Sequence, residues 1–155
     1  MKLNQYNEAL KALEHVITVQ AKKVPYKTSL DAPSTYKAMK EFYLANGYFL
    51  IYSGASESTI FSSPEVNVMF RAWHDAGHFL HGLSFKFDDE KRLGVIQARE
   101  AYWTALTLGY DLSIARRVKS IVRAEIVGQI EYFEHHKDYV KDQKAYTLKY
   151  LGVES

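Results

Sequence analysis

The sequence contains no cysteine. Disulfide bonds are therefore excluded, and so are metal sites built from thiolates. Any metal site in this chain must use imidazole, carboxylate or backbone oxygen. The sequence also lacks internal repeats and low-complexity linkers, so nothing in it divides the chain into parts. With 155 residues, of which 47% are hydrophobic, it can bury a substantial core and is expected to form a single domain over residues 1–155.

Long hydrophobic runs are missing as well. No segment approaches the about 18 consecutive apolar residues that a membrane-spanning helix needs. The N-terminal segment MKLNQYNEALKALEHV alternates charged and apolar residues and has no apolar block of the kind found in signal peptides. We therefore expect no membrane partner and a cytoplasmic location.

A large excess of either positive or negative charge is also missing, since the formal net charge is only +2. The one basic cluster, RRVKSIVR, places Arg116, Lys119 and Arg123 on one helical face without a nearby aromatic platform. Such a face is usually only solvated, so the sequence gives little ground for nucleic-acid binding.

What is present is mostly helical periodicity. A first amphipathic helix ends near Val24-Pro25, and a second fits Ser34 to Asn46. Two short β-type runs, Tyr48–Tyr52 and Thr59–Phe61, flank a Gly/Ser-rich turn and predict a β-hairpin. Ser63-Pro64-Glu65 is typical of a helix start, with an N-cap serine followed by a proline in the first turn.

That third helix should run to about Gly82. Asp88-Asp89-Glu90 opens another helix, which ends at Leu108-Gly109, and a long helix from Asp111 or Ser113 reaches about His136 before a short tail helix. The predicted fold class is α+β, predominantly α-helical, with a small β-hairpin followed by a metal-binding helix pair.

The third helix carries FRAWHDAGHFLHG, which holds three of the six histidines. At about 100° per residue, His74, His78 and His81 share a narrow arc with Arg71. A solvated polar face is one explanation, but such faces are usually rich in Lys and Glu, and this one has neither beyond Glu65. Two imidazoles four residues apart point the same way and can share one metal ion.

Glu100 is the carboxylate predicted to complete this site. It lies in the middle of an apolar helical face, where an uncompensated charge costs several kcal/mol. A salt bridge to an arginine would compensate it, and so would a metal held with His74 and His78. Glu125 repeats the anomaly on a later helix, as a further ligand, a partner that orients a histidine, or an ion-pair partner of Arg71 or Arg99.

The pattern resembles a known family of metallopeptidases. HDAGH has the spacing of H-E-x-x-H with Asp in place of Glu, and Glu100 follows His78 after 21 intervening residues. HDAGHFLHG, the charged DDEKR segment and REAYWTALTL together resemble the small ImmA/IrrE-like gluzincins. The resemblance covers Ser34 to Leu108, about half of the chain.

The resemblance implies a zinc-dependent, peptidase-like hydrolase in which His74, His78 and Glu100 bind zinc and a water fills the fourth position. It places Asp75 as the general base and gives His81 or Arg71 the task of steadying the oxyanion. Aspartate is one methylene shorter than glutamate, so its carboxylate is expected to fall about 1 Å short of that water. The substrate, a peptide or a small molecule, is not specified by the sequence.

Two other metal chemistries stay open. HD-type phosphohydrolases also contain H-D-x-G-H, with His74 and Asp75 as ligands, and need an upstream histidine, for which only His15 is available. A helical di-metal carboxylate protein would bind two iron or manganese ions, with Asp75-Ala-Gly-His78 in place of the usual Glu-x-x-His and with Glu100 and Glu125 from other helices, but a second E-x-x-H is missing. A non-catalytic interaction module, whose polar stripe binds a partner, is the remaining alternative.

Overall fold

The computed structural model describes residues 1–154. Its helices are α1 (Leu3–Ala21), α2 (Tyr36–Asn46), α3 (Pro64–His81), α4 (Phe87–Thr107), α5 (Leu112–Arg123), α6 (Gln129–His136) and α7 (Gln143–Tyr150), and a π-helical turn (Ala124–Gly128) joins α5 to α6. The strands are β1 (Tyr26–Ser29) and β2 (Phe49–Tyr52). The predominantly helical α+β class is confirmed. None of the described helices is long and apolar enough to cross a membrane.

The two strands pair in parallel, with Tyr26 opposite Phe49 and Ser29 opposite Tyr52. The predicted hairpin between Tyr48–Tyr52 and Thr59–Phe61 is therefore wrong. Residues 59–61 form no strand, and Ile60 and Phe61 are instead buried in the main hydrophobic core. Since α2 lies between the strands in sequence, it supplies the crossover that parallel pairing requires.

Helix α3 begins and ends where local chemistry dictates. The Ser63 hydroxyl accepts a hydrogen bond from the Val66 amide, and Pro64 occupies the first turn, where a missing N–H costs nothing. At the other end Gly82 adopts the left-handed conformation (φ 63°), which glycine tolerates best. The predicted bounds of this helix are confirmed.

Two hydrophobic clusters lie on either side of α3. The larger joins α1, α4, α5 and the π-helical turn to Phe70 and Trp73 of α3. The smaller packs Met39, Phe49 and Ile51 against Ala72. Because residues of α3 pack into both clusters, contacts on two sides fix the position of that helix and the direction in which its histidines point.

Candidate metal centre

His74, His78 and Glu90 converge between α3 and the first turn of α4. The His74 Nε2 atom lies 2.9 Å from one oxygen of Glu90, and the His78 Nε2 atom lies 3.1 Å from the other. The two Nε2 atoms are 3.2 Å apart. Among the residues that the structure describes, these three form the group whose side chains are close enough to hold one metal ion.

The connection between the helices explains why Glu90 reaches the histidines. After the left-handed turn at Gly82, the Leu83 amide donates to the His78 carbonyl. Asp89 accepts hydrogen bonds from both the amide and the hydroxyl of Ser84, which ties the first turn of α4 to this short loop. Glu90, the next residue, is thereby placed beside the last turns of α3.

The Nδ1 atoms of both histidines are held by acceptors. Gln97 is buried, and its Nε2 group donates to the Trp73 carbonyl, so its Oε1 atom faces His74 Nδ1 at 2.7 Å and must accept from it. The Leu83 carbonyl oxygen lies 2.8 Å from His78 Nδ1 and can only accept. Each ring therefore carries a proton on Nδ1, and in the neutral form each Nε2 presents a lone pair to the other and to Glu90.

Burial makes this arrangement electrostatically demanding. His78 is fully buried, and the side chains of His74 and Glu90 are 17% and 15% exposed. Burial by itself lowers the pKa of His74, but its hydrogen bond and attraction to Glu90 outweigh that effect and raise it. Burial opposes ionisation of Glu90 too, yet the two histidines lower its pKa to about 2.

Glu100 does not join this cluster. One of its carboxylate oxygens accepts from Trp73 Nε1 at 3.2 Å, and the other lies 3.3 Å from His81 Nε2. The predicted ligand set of His74, His78 and Glu100 is thus not assembled, because Glu100 lies further along α4, where it faces the indole and the exposed end of α3. His81 pairs with Glu100 and is likewise separate from the cluster.

Arg71 is committed to the loop after β2. Its Nη1 group donates to the carbonyl oxygens of Tyr52 and Gly54, and its Nη2 group donates to that of Ala55. Burial lowers the pKa of Arg71, although Tyr52 and then the carboxylates of Asp75 and Glu57 partly offset this. These contacts make Arg71 a clamp on the loop and leave it little capacity to steady an oxyanion.

Asp75 is close to the cluster without belonging to it. Burial raises the pKa of this carboxyl, while the charges of His74 and His78 act in the opposite direction. His15, the upstream histidine that an HD-type site would need, hydrogen-bonds the Tyr110 hydroxyl at 2.9 Å. In the part of the chain that the structure describes, His15 and Asp75 are not gathered with His74 around one point.

Glu125 lies in the π-helical turn and is buried. One of its oxygens accepts from Gln129, and the other has no hydrogen-bond partner among the described residues. Burial raises its pKa to about 7, although Gln129 and the nearby Thr147 hydroxyl favour ionisation. The ion pairs considered for it with Arg71 or Arg99 are not formed, since Arg71 is bound to the loop and Arg99 is exposed.

A cavity of about 390 Å³ opens beside the cluster. His74 and Glu90 form part of its wall, and Glu125 forms another part, so two buried or nearly buried acidic residues face one space. Asp75 is not among the described residues that line it.

Comparison of the sequence and fold with protein-family models, curated proteins and solved structures finds no match. The chemistry of the site must therefore be argued from its own geometry. Glu90 is absent from the ligands expected from the sequence, because the run Asp88-Asp89-Glu90 has the acidic pattern that is typical of any helix start. The signal in the sequence is the short connection from Gly82 to the next helix, which brings the first residues of that helix back to the histidines.

Proposed function

We propose that the chain is a metal-dependent hydrolase whose ion is bound by His74 Nε2, His78 Nε2 and the Glu90 carboxylate. The observation that carries the proposal is the convergence of two Nε2 atoms whose Nδ1 protons are already committed to Gln97 and Leu83. Protonating both rings would place two like charges 3.2 Å apart in a buried site. One divalent cation bound between these groups would accept both nitrogen lone pairs and offset the negative charge of the carboxylate.

The ligand spacing supports zinc as the ion. A tetrahedral zinc ion with bonds of about 2.0–2.1 Å separates its ligands by about 3.3 Å. The three donor atoms lie 2.9 to 3.2 Å apart, so small adjustments would admit the ion. The hydrogen bonds from both Nδ1 atoms supply the outer-shell support that zinc-binding histidines usually have. Iron or manganese remains compatible with the same donors.

The hydrolytic part of the proposal rests on the open coordination position. Two histidines and one carboxylate leave a fourth site for water, and an ion bound there would supply Lewis acidity and a water of lowered pKa. In hydrolysis the water oxygen bonds to the carbonyl carbon, the bond to the leaving group breaks, and the leaving group departs with a proton from that water. The cavity beside His74 and Glu90 gives such a substrate access.

Two parts of the family expectation are not carried into this proposal. Glu100 is replaced by Glu90 as the carboxylate ligand, and Asp75 is not assigned as base because it does not line the cavity in the described structure. A peptidase-like activity therefore has less support than metal binding itself. A mononuclear site is favoured over two ions, because one group of three ligands is found among the described residues.

A metal titration of paired variants tests the proposal. Glu90→Gln keeps the shape of the side chain but removes its charge, and we expect it to weaken zinc binding by at least about 100-fold, because losing a residue that only orients a metal ligand already costs about 10–100-fold. Glu100→Gln is the matched control on the same helix and should leave the affinity unchanged. Isothermal titration of the metal-free protein gives both affinities and the number of ions per chain.

Three outcomes are informative. One ion per chain, lost in Glu90→Gln and kept in Glu100→Gln, supports the proposed site. The reverse pattern would restore Glu100 as the ligand and contradict the geometry described above. Absence of binding in the wild-type chain would make the cluster a buried ion pair and remove the basis for a hydrolase.

A further inference from the structure

The cavity beside the metal cluster has a lining that discriminates between classes of substrate. Its walls come from α3, α4, the π-helical turn, α6, α7 and the loops between them. No residue of β1 or β2 is part of the described lining. One recurring way for an extended peptide to bind is to add a strand to an exposed sheet edge, and the described lining of this cavity includes no strand.

The aromatic part of the lining is extensive. Phe70 and Phe85 lie near His74 and His78, with ring centroids 6.2 Å and 4.7 Å from the respective imidazoles. Phe133 packs between Phe87 and Tyr139, at 5.8 Å and 4.8 Å, and all of these rings line the cavity. Such walls favour a flat ring that can pack against them face-on or edge-on.

The polar part of the lining combines three uncharged amides with His74, one arginine and two acidic residues. Asn67, Gln129 and Gln143 contribute donors and acceptors without charge. The lining also contains Arg71, but three of its N–H groups are taken by backbone carbonyls. Glu90 and Glu125 are acidic. A phosphate or carboxylate group would thus meet no lysine or unengaged arginine among the described lining residues.

We infer that the cavity binds a small uncharged molecule with an aromatic or heteroaromatic ring, and that this class of molecule is the substrate presented to the metal. The inference rests on the proposed function only in calling the occupant a substrate. The volume of about 390 Å³ is near the lower end of the range for small-molecule sites. In the metal-free chain an extended peptide finds no sheet edge in this space, and a phosphate ester finds no unengaged lysine or arginine among the described lining residues.

Three probes that share a phenyl ring separate the contributions of ring and charge. Benzamide is uncharged, benzoate carries one negative charge, and phenyl phosphate carries up to two. Saturation-transfer NMR on the metal-free full chain at pH 8 measures their binding without any dependence on a metal. We expect benzamide to bind with about millimolar affinity, as is usual for a fragment of this size, and the two anions to bind at least about tenfold more weakly.

Variants show whether binding occurs in the described cavity. Phe133→Ala removes part of the aromatic wall, whereas Phe42→Ala removes a half-buried phenylalanine that packs on Tyr48 outside the cavity. We expect Phe133→Ala to weaken benzamide binding by at least about fivefold and Phe42→Ala to leave it unchanged. Ile130→Trp, which fills the cavity from α6, should abolish binding while retaining the circular dichroism spectrum of the folded chain.

The inference would be overturned if benzamide failed to bind or if either anion bound more tightly than benzamide. It would also be overturned if Phe133→Ala and Phe42→Ala changed the affinity for benzamide equally. Repeating the titration after loading with cobalt tests the proposed function separately. Absence of the cobalt absorption bands contradicts the metal site while leaving the benzamide result to decide the cavity. Cobalt bands that shift with benzohydroxamate and with acetohydroxamate at equal affinity would contradict the preference for a ring.

Discussion

Glu125 is the residue whose burial has the most direct thermodynamic consequence. No cation pairs with it in the described structure, and its second oxygen is left without a partner beside the Thr147 hydroxyl. Burial, and then the nearby charge of Glu125, also raises the pKa of Tyr6 to about 12. These groups form a polar island between α1, the π-helical turn and α7, in which a neutral carboxyl is better tolerated than a carboxylate.

The stability of the protein should therefore fall as pH rises past the ordinary range of a carboxyl group. The pKa of Glu125 is raised from 4.5 to about 7 in the folded state, so between these values the folded chain holds a proton that the unfolded chain has released. The free energy of unfolding decreases across this window, by at most about 3 kcal/mol at 1.36 kcal/mol per pKa unit.

Glu125→Gln removes this dependence, because an amide does not titrate. Relative to wild type, we expect the variant to gain stability from pH 4.5 to about pH 7 and to show no further gain up to pH 8, measured by urea unfolding. Glu8→Gln, at an exposed position of α1, is the control and should show no such trend. A constant difference between Glu125→Gln and wild type across the range would mean that Glu125 is not held neutral in the folded protein.

At the scale of elements, the close approach of α3 and α4 depends on glycine. A β-carbon at Gly77 would lie 2.6 Å from Gln97 Nε2 and 3.0 Å from Leu93 Cδ1. Gln97 is the residue that holds His74 Nδ1. The packing of the two helices and the orientation of a proposed ligand are thus coupled through one side chain.

Gly77→Ala should both destabilise the fold and weaken metal binding. Alanine is favoured over glycine in a helix by about 1 kcal/mol, but overpacking here is expected to outweigh that gain, with a net cost of about 1–3 kcal/mol. Displacement of Gln97 should lower zinc affinity, measured by titration. Gly94→Ala is a matched control, because its β-carbon would meet Val127 and Ile126 at 2.7 and 2.9 Å and leave Gln97 in place.

The two variants together separate packing from ligand orientation. Both should lower the midpoint of urea unfolding, and only Gly77→Ala should reduce the affinity for zinc. Equal zinc affinities in the two variants would show that Gln97 does not orient His74.

Elements with strong local signals are the ones that the sequence predicts well. The start and end of α3 follow from Ser63, Pro64 and Gly82, whose preferences are local. The strand pairing is not local, because β2 pairs with Tyr26–Ser29 across the whole of α2. That partner strand, YKTS, has no run of hydrophobic residues to mark it. The sequence pattern therefore favours the nearer segment Thr59–Phe61 as the partner of β2, and that prediction is wrong.

The candidate site shows the same division between local and distant information. The shared direction of His74 and His78 follows from helical spacing alone, and the structure brings them together. The position of Glu90, the proposed third ligand, depends on how α4 returns after a short loop, which helical spacing does not encode. Glu100 stood out as a carboxylate on an apolar face, but Trp73 and His81 satisfy it locally.

At the scale of the whole molecule, the cluster of His74, His78 and Glu90 connects α3, which contributes to both hydrophobic clusters, to α4. An ion that binds only the folded chain stabilises all of it by mass action. Without a metal, the ion pair of His74 and Glu90 takes this role within a limited pH range. The His74 contribution is complete below its unfolded pKa of 6.5 and is lost as pH rises through its raised folded value. The Glu90 contribution is complete above 4.5 and is lost as pH falls towards about 2.

Zinc should therefore raise the melting temperature more at pH 8 than at pH 6, because at the lower pH protons compete for the same nitrogen atoms. The same free zinc concentration, about 100 times the Kd measured at pH 8, is used at both pH values. At pH 8 binding then adds about 2.7 kcal/mol, which for a folded chain of this size corresponds to about 5–10 °C. Differential scanning calorimetry with zinc and then with excess chelator measures the shift in melting temperature and its reversal.

Glu90→Gln should show little zinc-induced shift at either pH, while Glu100→Gln should match wild type. A zinc-induced shift of the same size at pH 6 and pH 8 would place the ion on groups other than the two histidines, and so contradict the proposed centre.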